Sequence, residues 1–236
     1  MGMANKYLCK RASATCLTYD KAKIKSCNNV YITGNPVRAS IFSAKSTDGR
    51  KMLNIPENAK VLLVFGGSLG AAHINNALLK MLDELLERKD LHIVHITGDK
   101  QYEEVKSKVD LDAAEAARYH VLAYQNKMAE TLAASDMCIS RAGASTIAEL
   151  TARKLPALLI PYPHATENHQ FYNAKALLDA GCVMYLNDEA VSSPEFKKAV
   201  VKLIDNEDMR EDMRDAYSKF DAENSAKKIA DIIENL

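Results

Sequence analysis

The chain has 236 residues, of which 47% are hydrophobic and 26% are charged, the balance of an ordinary soluble globular protein with one large or two small domains. Its 31 basic and 31 acidic side chains cancel, so we do not expect it to bind nucleic acid through bulk positive charge. No apolar run reaches the ~18 residues of a membrane-spanning helix, and the first six residues contain no signal-peptide core, so we expect a cytoplasmic protein.

The first 35 residues differ in pattern from the rest of the chain. Helices are predicted at residues 4–14 and 20–25, and short strands at residues 16–18 and 30–33. This piece is too small to enclose its own core, so we expect it to pack on the main domain or on a body outside this sequence.

From residue 61 onward, strands and helices alternate. The predicted strands cover residues 61–65, 92–97, 120–123, 137–140, 156–161 and 182–185. The predicted helices cover residues 71–88, 101–109, 125–134, 143–153, 167–180 and the chain from 193 to its end. This alternation predicts an α/β fold with a Rossmann-like, doubly wound parallel sheet. Ligands of such sheets bind at the carboxyl ends of the strands.

The cysteines are expected to be free, buried thiols rather than a disulfide framework or a zinc site. Their number is odd and no two have Cys-x-x-Cys spacing. The five positions are Cys9, Cys16, Cys27, Cys138 and Cys182.

No metal site is expected elsewhere. His92 and His95 lie on a predicted strand, where their odd spacing makes them face opposite sides. Asp110 and Asp112 lie in a charged stretch that we expect to be an exposed turn.

A glycine-rich turn, Gly66-Gly67-Ser68-Leu69-Gly70, connects the first long strand to a helix. Its glycines would let the backbone approach an anion, and the helix start would add free N–H groups. The turn predicts a phosphate or diphosphate site, or else a tight connection without a ligand. It lacks the Gly-Lys-Ser/Thr of a Walker loop and the Gly-x-Gly-x-x-Gly spacing, so NAD is a weaker alternative.

A second small-residue turn, from Ser140 to Thr146, opens another helix, and Glu149 follows one turn after Ser145. A carboxylate there could accept hydrogen bonds from two neighbouring hydroxyls, as on a ribose. It could also only favour the helix N-terminus.

Two further loops carry polar side chains. Residues 161–170 form a proline-stiffened loop rich in amides and histidines, among them His164, His169 and Gln170, and amides suit sugar hydroxyls because they both donate and accept hydrogen bonds. Residues 34–38 end in Arg38, which could pair with a phosphate.

These four loops together resemble the C-terminal half of the MurG family of N-acetylglucosaminyltransferases. The motifs are residues 33–38, 66–70, 140–146 with Glu149, and 168–170 with Asn173-Ala174, in the family's order. The resemblance implies one half of a GT-B fold, with residues 1–35 a remnant of the N-terminal domain and connector and residues 36–236 the UDP-sugar-binding domain.

The resemblance also implies how this half would bind UDP-N-acetylglucosamine. Arg38 and Ser68 would hold the diphosphate, the backbone at Gln125 would meet the uracil, and Glu149 would bind the ribose. His169 and Gln170 would hold the sugar. The full set of implied contacts is Arg38, Gly67, Ser68, Gly70, Gln125, Ala144, Ser145, Thr146, Glu149, His169 and Gln170.

The implied function is the donor half of a metal-independent, inverting transfer in peptidoglycan synthesis, from lipid I to lipid II, with no cofactor. The general base and lipid site of the family lie in its N-terminal domain, so we expect this chain to bind the donor without turning it over. A partner acceptor domain would bring it to the inner face of the membrane, and a homodimer could instead cover the exposed face. Two alternatives stay open, a nucleotide-sugar-binding subunit of a split transferase and another UDP-sugar enzyme such as an epimerase.

Overall fold

The computed structural model describes residues 3–18, 27, 29–67, 71–220 and 224–236. The predicted helix at residues 20–25 therefore lies outside the described residues, as do Ser68 and Gly70 of the glycine-rich turn.

Eight strands form two parallel sheets in the described chain. The two-stranded sheet pairs β1 (Thr15–Leu17) with β2 (Val30–Ile32). The main sheet contains β3 (Lys60–Phe65), β4 (Leu91–Ile96), β5 (Tyr119–Leu122), β6 (Met137–Ser140), β7 (Ala157–Leu159) and β8 (Val183–Tyr185). Its order is β5–β4–β3–β6–β7–β8 with every neighbouring pair parallel, so the predicted Rossmann-like sheet is confirmed.

Helices connect these strands and mostly follow the predicted pattern. The first seven are α1 (Met3–Leu8), α2 (Ala39–Ser43), α3 (Ser46–Met52), α4 (Ala72–Leu79), α5 (Leu82–Leu86), α6 (Tyr102–Ser107) and α7 (Ala113–Ala116). The others are α8 (Met128–Ala134), α9 (Ala144–Arg153), α10 (His169–Ala180), α11 (Pro194–Asp205), α12 (Glu207–Ala216) and α13 (Ser225–Glu234). The single helix predicted at 71–88 is instead two, because the backbone at Met81 leaves the helical region.

Two cores cover the two faces of the main sheet. On one face, alternate residues of β3 such as Val61 and Leu63 pack against α8, α9 and α10. On the other face, Leu62 and Val64 pack against α4, α5 and α11. Both faces of β3 are thus buried, which explains its continuous apolar run.

Residues 39–52, for which no helix was predicted, form α2 and α3 and pack against α8 and α9. The Arg153 Nη1 donates hydrogen bonds to the carbonyls of Ile41, Phe42 and Ala44 at 3.1, 3.4 and 3.2 Å. Gly49 lets α3 approach α8 so closely that an added Cβ would lie 2.0 Å from the Glu130 carbonyl oxygen.

The prediction of free cysteines was wrong for Cys9 and Cys27, which form a disulfide. Cys9 follows α1 and Cys27 precedes β2, and the fold brings their Cα atoms to 5.0 Å. Pairing across 18 residues has no local sequence signature, so spacing alone could not show it. Cys138 and Cys182 are free and buried as expected, whereas Cys16 is free but exposed.

The histidines of β4 face opposite sides, as predicted, and both are buried. His92 stacks on His120, with Nδ1 3.1 Å from Nε2, and His95 contacts Tyr119 and Asn75. Within the described chain, no group of three or more His, Cys, Asp or Glu side chains is placed to hold a metal ion. None of the described helices combines the length and apolar character needed to cross a bilayer.

Candidate functional site

The parallel register brings the functional loops to one edge of the main sheet. Phe65, the last residue of β3, pairs with Ser140, the last residue of β6, and Ser140 pairs with Leu159 at the end of β7. The loops that begin at Gly66, Arg141 and Ile160 therefore leave three adjacent strands at the same level, as expected for a ligand site at the carboxyl edge.

The glycine-rich turn is described as far as Gly67. Gly67 has φ +86°, a left-handed conformation that favours glycine, and an added Cβ would meet no atom of the described residues within 4 Å. Space is therefore left beside the backbone at the start of this turn.

The first turn of α9 has exposed, uncapped backbone donors. Gly143 is its N-cap residue and no side chain caps the helix there. Ala144 and Ser145 are exposed and Thr146 is half-buried. No acidic side chain lies in this turn, so no carboxylate within it compensates the positive end of the helix dipole. Such a terminus is suited to a phosphate group.

Arg38 and Glu149 meet beside this terminus. Arg38 Nη2 lies 3.5 Å from Glu149 Oε1, and Asn35 Nδ2 donates to the Ala144 carbonyl oxygen at 3.3 Å. The Arg38 side chain is 66% exposed, whereas that of Glu149 is 19% exposed. Burial raises the pKa of Glu149, and the Arg38 charge and hydrogen bond oppose this rise.

The amide of Gln170 has a structural role that the sequence did not reveal. Its Oε1 accepts hydrogen bonds from Ala142 N at 3.2 Å and Tyr162 N at 2.9 Å. Asn173 Nδ2 donates to the Ala142 carbonyl oxygen at 3.1 Å. The start of α10 therefore fixes the loop that precedes α9, and only the Nε2 group of Gln170 remains for a ligand.

His169 and Gln125 lie on either side of this centre. His169 is exposed, and because its Nδ1 donates to the Thr166 carbonyl oxygen at 2.7 Å, its Nε2 faces away as an acceptor when neutral. Gln125 follows β5 and its Oε1 accepts from Lys127 N at 2.9 Å. Three strand spacings separate β5 from β6, roughly 14 Å. Gln125 can therefore share a ligand with α9 only if the ligand extends along the sheet edge.

Three further residues join the loops, and none of them was predicted to bind the ligand. Arg141 Nη1 donates to the carbonyls of Ile160 and Pro161 and to the carboxylate of Asp188. The other oxygen of Asp188 contacts His73 Nδ1 at 2.9 Å. Burial raises the pKa of Asp188, but the hydrogen bonds of His73 and Arg141 outweigh it and the pKa is lowered.

A cavity of about 300 Å³ lies beside these loops, between the ends of β7 and β8. The rings of Tyr162, Phe171 and Tyr185 line it together with Asn168 and other loop residues. It does not include Arg38 or Glu149, so it adjoins the α9 terminus rather than coinciding with it.

Most of the sequence matches the model of a known protein family. Residues 61–235 match the model of the glycosyltransferase family 28 C-terminal domain, which covers the main sheet and all its loops.

Relatives with curated names give the same result. The chain is 38% identical over 238 residues to a "UDP-N-acetylglucosamine--N-acetylmuramyl-(pentapeptide) pyrophosphoryl-undecaprenol N-acetylglucosamine transferase" of Carboxydothermus hydrogenoformans, which covers 100% of this chain and 63% of the relative. It is 40% identical to a protein of the same name from Chlorobium phaeobacteroides, covering 91% of this chain and 58% of the relative. The chain thus spans about three fifths of the length of these relatives.

Solved structures confirm the fold. The MurG of Acinetobacter baumannii superposes with a TM-score of 0.75 at 24% identity, over 100% of this chain and 64% of that one. The lipopolysaccharide glycosyltransferase WaaG superposes with a TM-score of 0.59 at 21% identity, over 86% and 56% of the two chains. The fold is one half of a GT-B arrangement, and the chain belongs to the family of glycosyltransferase family 28 C-terminal domains.

Proposed function

We propose that this chain binds UDP-N-acetylglucosamine as the donor half of an inverting N-acetylglucosaminyltransferase of peptidoglycan synthesis, acting from lipid I to lipid II. The names of two relatives describe an N-acetylglucosamine transferase with UDP-N-acetylglucosamine and N-acetylmuramyl-(pentapeptide) pyrophosphoryl-undecaprenol, which supports this proposal. The observation that carries the proposal is the uncapped, exposed first turn of α9 with the Arg38–Glu149 pair beside it.

The diphosphate is assigned to the first turn of α9. Its N–H groups and dipole would bind the anion, with Ser145 and Thr146 supplying hydroxyl donors. The glycine-rich turn begins at Gly66, directly after the strand next to β6. Arg38 is exposed, so leaving its weak surface pair with Glu149 to meet a phosphate would cost little.

Glu149 is assigned to the ribose. Its carboxylate is half-buried one turn above the phosphate-binding N–H groups, where it could accept hydrogen bonds from the two ribose hydroxyls. The sugar is assigned to the Nε2 groups of Gln170 and His169, and the uracil to the backbone at Gln125, toward the β5 end of the sheet edge.

The chemistry proposed for these residues is electrostatic. As the acceptor hydroxyl attacks the anomeric carbon and UDP leaves, negative charge grows on the diphosphate, where the α9 terminus and Arg38 would stabilise it. The base that deprotonates the acceptor is assigned to the N-terminal half of the family, so this chain is expected to bind donor without transfer. In this proposal residues 36–236 form the donor domain, residues 1–35 belong to the connection with the other half, and that half provides the contact with the membrane.

Calorimetry with the isolated chain tests donor binding. UDP-N-acetylglucosamine is expected to bind more tightly than NAD or ATP, and tighter NAD binding would refute the proposal. Glu149→Ala is expected to weaken UDP binding by about 1–3 kcal/mol, the value of a hydrogen bond to a charged group. Asp205→Asn, which changes a carboxylate paired with Arg88 instead, is the matched control and should bind UDP as the wild type does.

Transfer of radiolabelled N-acetylglucosamine to lipid I tests whether this chain needs an N-terminal half for activity. The chain alone is expected to transfer no sugar, and activity should appear when the N-terminal half of a full-length relative is added. Robust transfer by the chain alone would show that the acceptor site lies within these 236 residues.

A further inference from the structure

We propose that Asp188 is a positioning residue that holds the N-terminal end of α4 and the loop before α9 at a fixed spacing, through His73 on one side and Arg141 on the other. This inference rests on the proposed donor function. It concerns residues that contact one another rather than the nucleotide.

The contacts are continuous from the start of α4 to the loop before α9. His73 lies in the first turn of α4, directly after the glycine-rich turn, and its Nδ1 is 2.9 Å from Asp188 Oδ2. Arg141 begins the loop that leads to Gly143, and its Nη1 donates to Asp188 Oδ1. The Asp188 carboxylate therefore uses one oxygen for each of these two segments.

The two partners of Asp188, Arg141 and His73, make further contacts of their own. Arg141 Nη1 also donates to the carbonyls of Ile160 and Pro161 at 3.2 and 3.3 Å, and its guanidinium lies 5.5 Å from the centre of the Tyr162 ring. His73 Nε2 lies 2.7 Å from Ser192 Oγ. Because the Asp188 carboxylate can only accept, His73 Nδ1 donates to it, and Nε2 contacts the Ser192 hydroxyl, which can either donate or accept.

Burial makes it costly to break the contact between Arg141 and Asp188. The side chains of Arg141 and Asp188 are 10% and 16% exposed, so separating them would leave a charge with little access to water. The His73 side chain is 35% exposed, so it can be replaced without opening a core.

Ser192, His73 and Asp188 are arranged like a catalytic nucleophile, its general base and the carboxylate that orients the base. Here, however, the same carboxylate also accepts from Arg141, whose further contacts are backbone carbonyls that fix the end of β7. The contacts therefore lead to the loops of the donor site, and positioning is the role that they support.

The test uses calorimetry to compare UDP binding by the wild-type chain with UDP binding by two His73 variants. His73→Leu removes both hydrogen bonds, whereas His73→Asn keeps an N–H donor close to the position of Nδ1. His73→Leu is expected to bind UDP about tenfold more weakly, in the range for side chains that act through a second residue. His73→Asn is expected to recover most of that loss. Circular dichroism at the same temperature shows that both variants are folded.

Each outcome decides between the claims. If the wild type binds UDP and His73→Leu binds it equally well, positioning is refuted and the donor function stands. If His73→Asn is as weak as His73→Leu, the hydrogen bond to Asp188 is not the cause and positioning is refuted as well. If the wild type binds no UDP, the donor function itself fails, and the positioning role fails with it. Asp188→Asn should also weaken binding, whereas Asp205→Asn should not.

Discussion

Arg38 Nη2 lies 3.5 Å from Glu149 Oε1, although 111 residues separate the two in the sequence. The pair joins the segment before α2 to Glu149 in the second turn of α9, one turn beyond the exposed residues that begin this helix. Burial raises the pKa of Glu149, and Arg38 holds part of that rise back. Glu149 thus binds its proton more tightly in the folded chain than in the unfolded one, so its contribution to stability falls as pH rises above the unfolded pKa near 4.5.

Replacing Arg38 with methionine is expected to raise the pKa of Glu149 further, because the opposing positive charge is lost. The carboxyl resonance of Glu149, followed by carbon-13 NMR across a pH titration, measures this change. Arg88→Met removes an arginine that pairs with Asp205 instead and should leave the Glu149 titration unchanged. An identical Glu149 pKa in the wild type and Arg38→Met would show that the pair does not form in solution.

Gln170→Glu separates the two roles of that side chain. Glutamate keeps an oxygen for the N–H groups of Ala142 and Tyr162 but loses the Nε2 donor. We expect little change in the midpoint of thermal unfolding and a lower ratio of UDP-N-acetylglucosamine affinity to UDP affinity. Gln170→Met, which loses both accepted hydrogen bonds, should instead unfold at a lower temperature. An unchanged affinity ratio in Gln170→Glu would remove this residue from the sugar site.

Two glycines should respond to alanine in different ways. Gly49→Ala would place a Cβ 2.0 Å from the Glu130 carbonyl oxygen, so α3 must move from α8. A loss of about 1–3 kcal/mol or more in the free energy of unfolding is expected, as for other overpacked sites. Urea denaturation measures it, and a stability equal to that of the wild type would contradict the close helix contact.

Gly143→Ala has a different expected effect. Among the described residues, its added Cβ would meet only Thr146 Oγ1, at 3.8 Å, so the free energy of unfolding should change by less than about 1 kcal/mol. UDP binding should nevertheless weaken, because the new methyl group would stand at the helix terminus assigned to the diphosphate. Full UDP affinity in this variant would mean that the anion does not approach Gly143.

Buried histidines should make the chain sensitive to acid. Burial lowers the pKa of His95 to about 3 and, with the His92 charge, that of His120 to about 4. Both bind fewer protons when folded than when unfolded, so their contribution to stability is complete above pH 6.5 and decreases as pH falls toward these values. His95→Gln should reduce the dependence of the free energy of unfolding on pH by up to about 1.4 kcal/mol per pH unit between pH 6 and 4. An unchanged slope would contradict a neutral, buried His95.

Local patterns predicted the main sheet well. The bounds of β6 agree with the sequence because its four residues are all buried and flanked by polar or small residues. The same logic failed for α2, which has five residues and no cap from its own side chains. Its carbonyls are instead bound by Arg153, more than a hundred residues further along the chain, so no local signal was available.

The candidate site depends on both local and long-range contacts. Glycines and hydroxyls after strands have local patterns, and these led to α9 and the turn at Gly67. Asp188 follows a strand as an ordinary acidic residue, and its contact with His73 spans 115 positions. Contacts of that kind depend on strand order, which the sequence pattern alone did not specify.

A crystal structure of the chain with UDP-N-acetylglucosamine would test the donor site itself. We expect the diphosphate oxygens within about 2.7–3.2 Å of the first-turn N–H groups of α9, with the ribose against Glu149 and the sugar beside Gln170. A nucleotide bound elsewhere, for example in the aromatic cavity between the ends of β7 and β8, would contradict this assignment of the donor site.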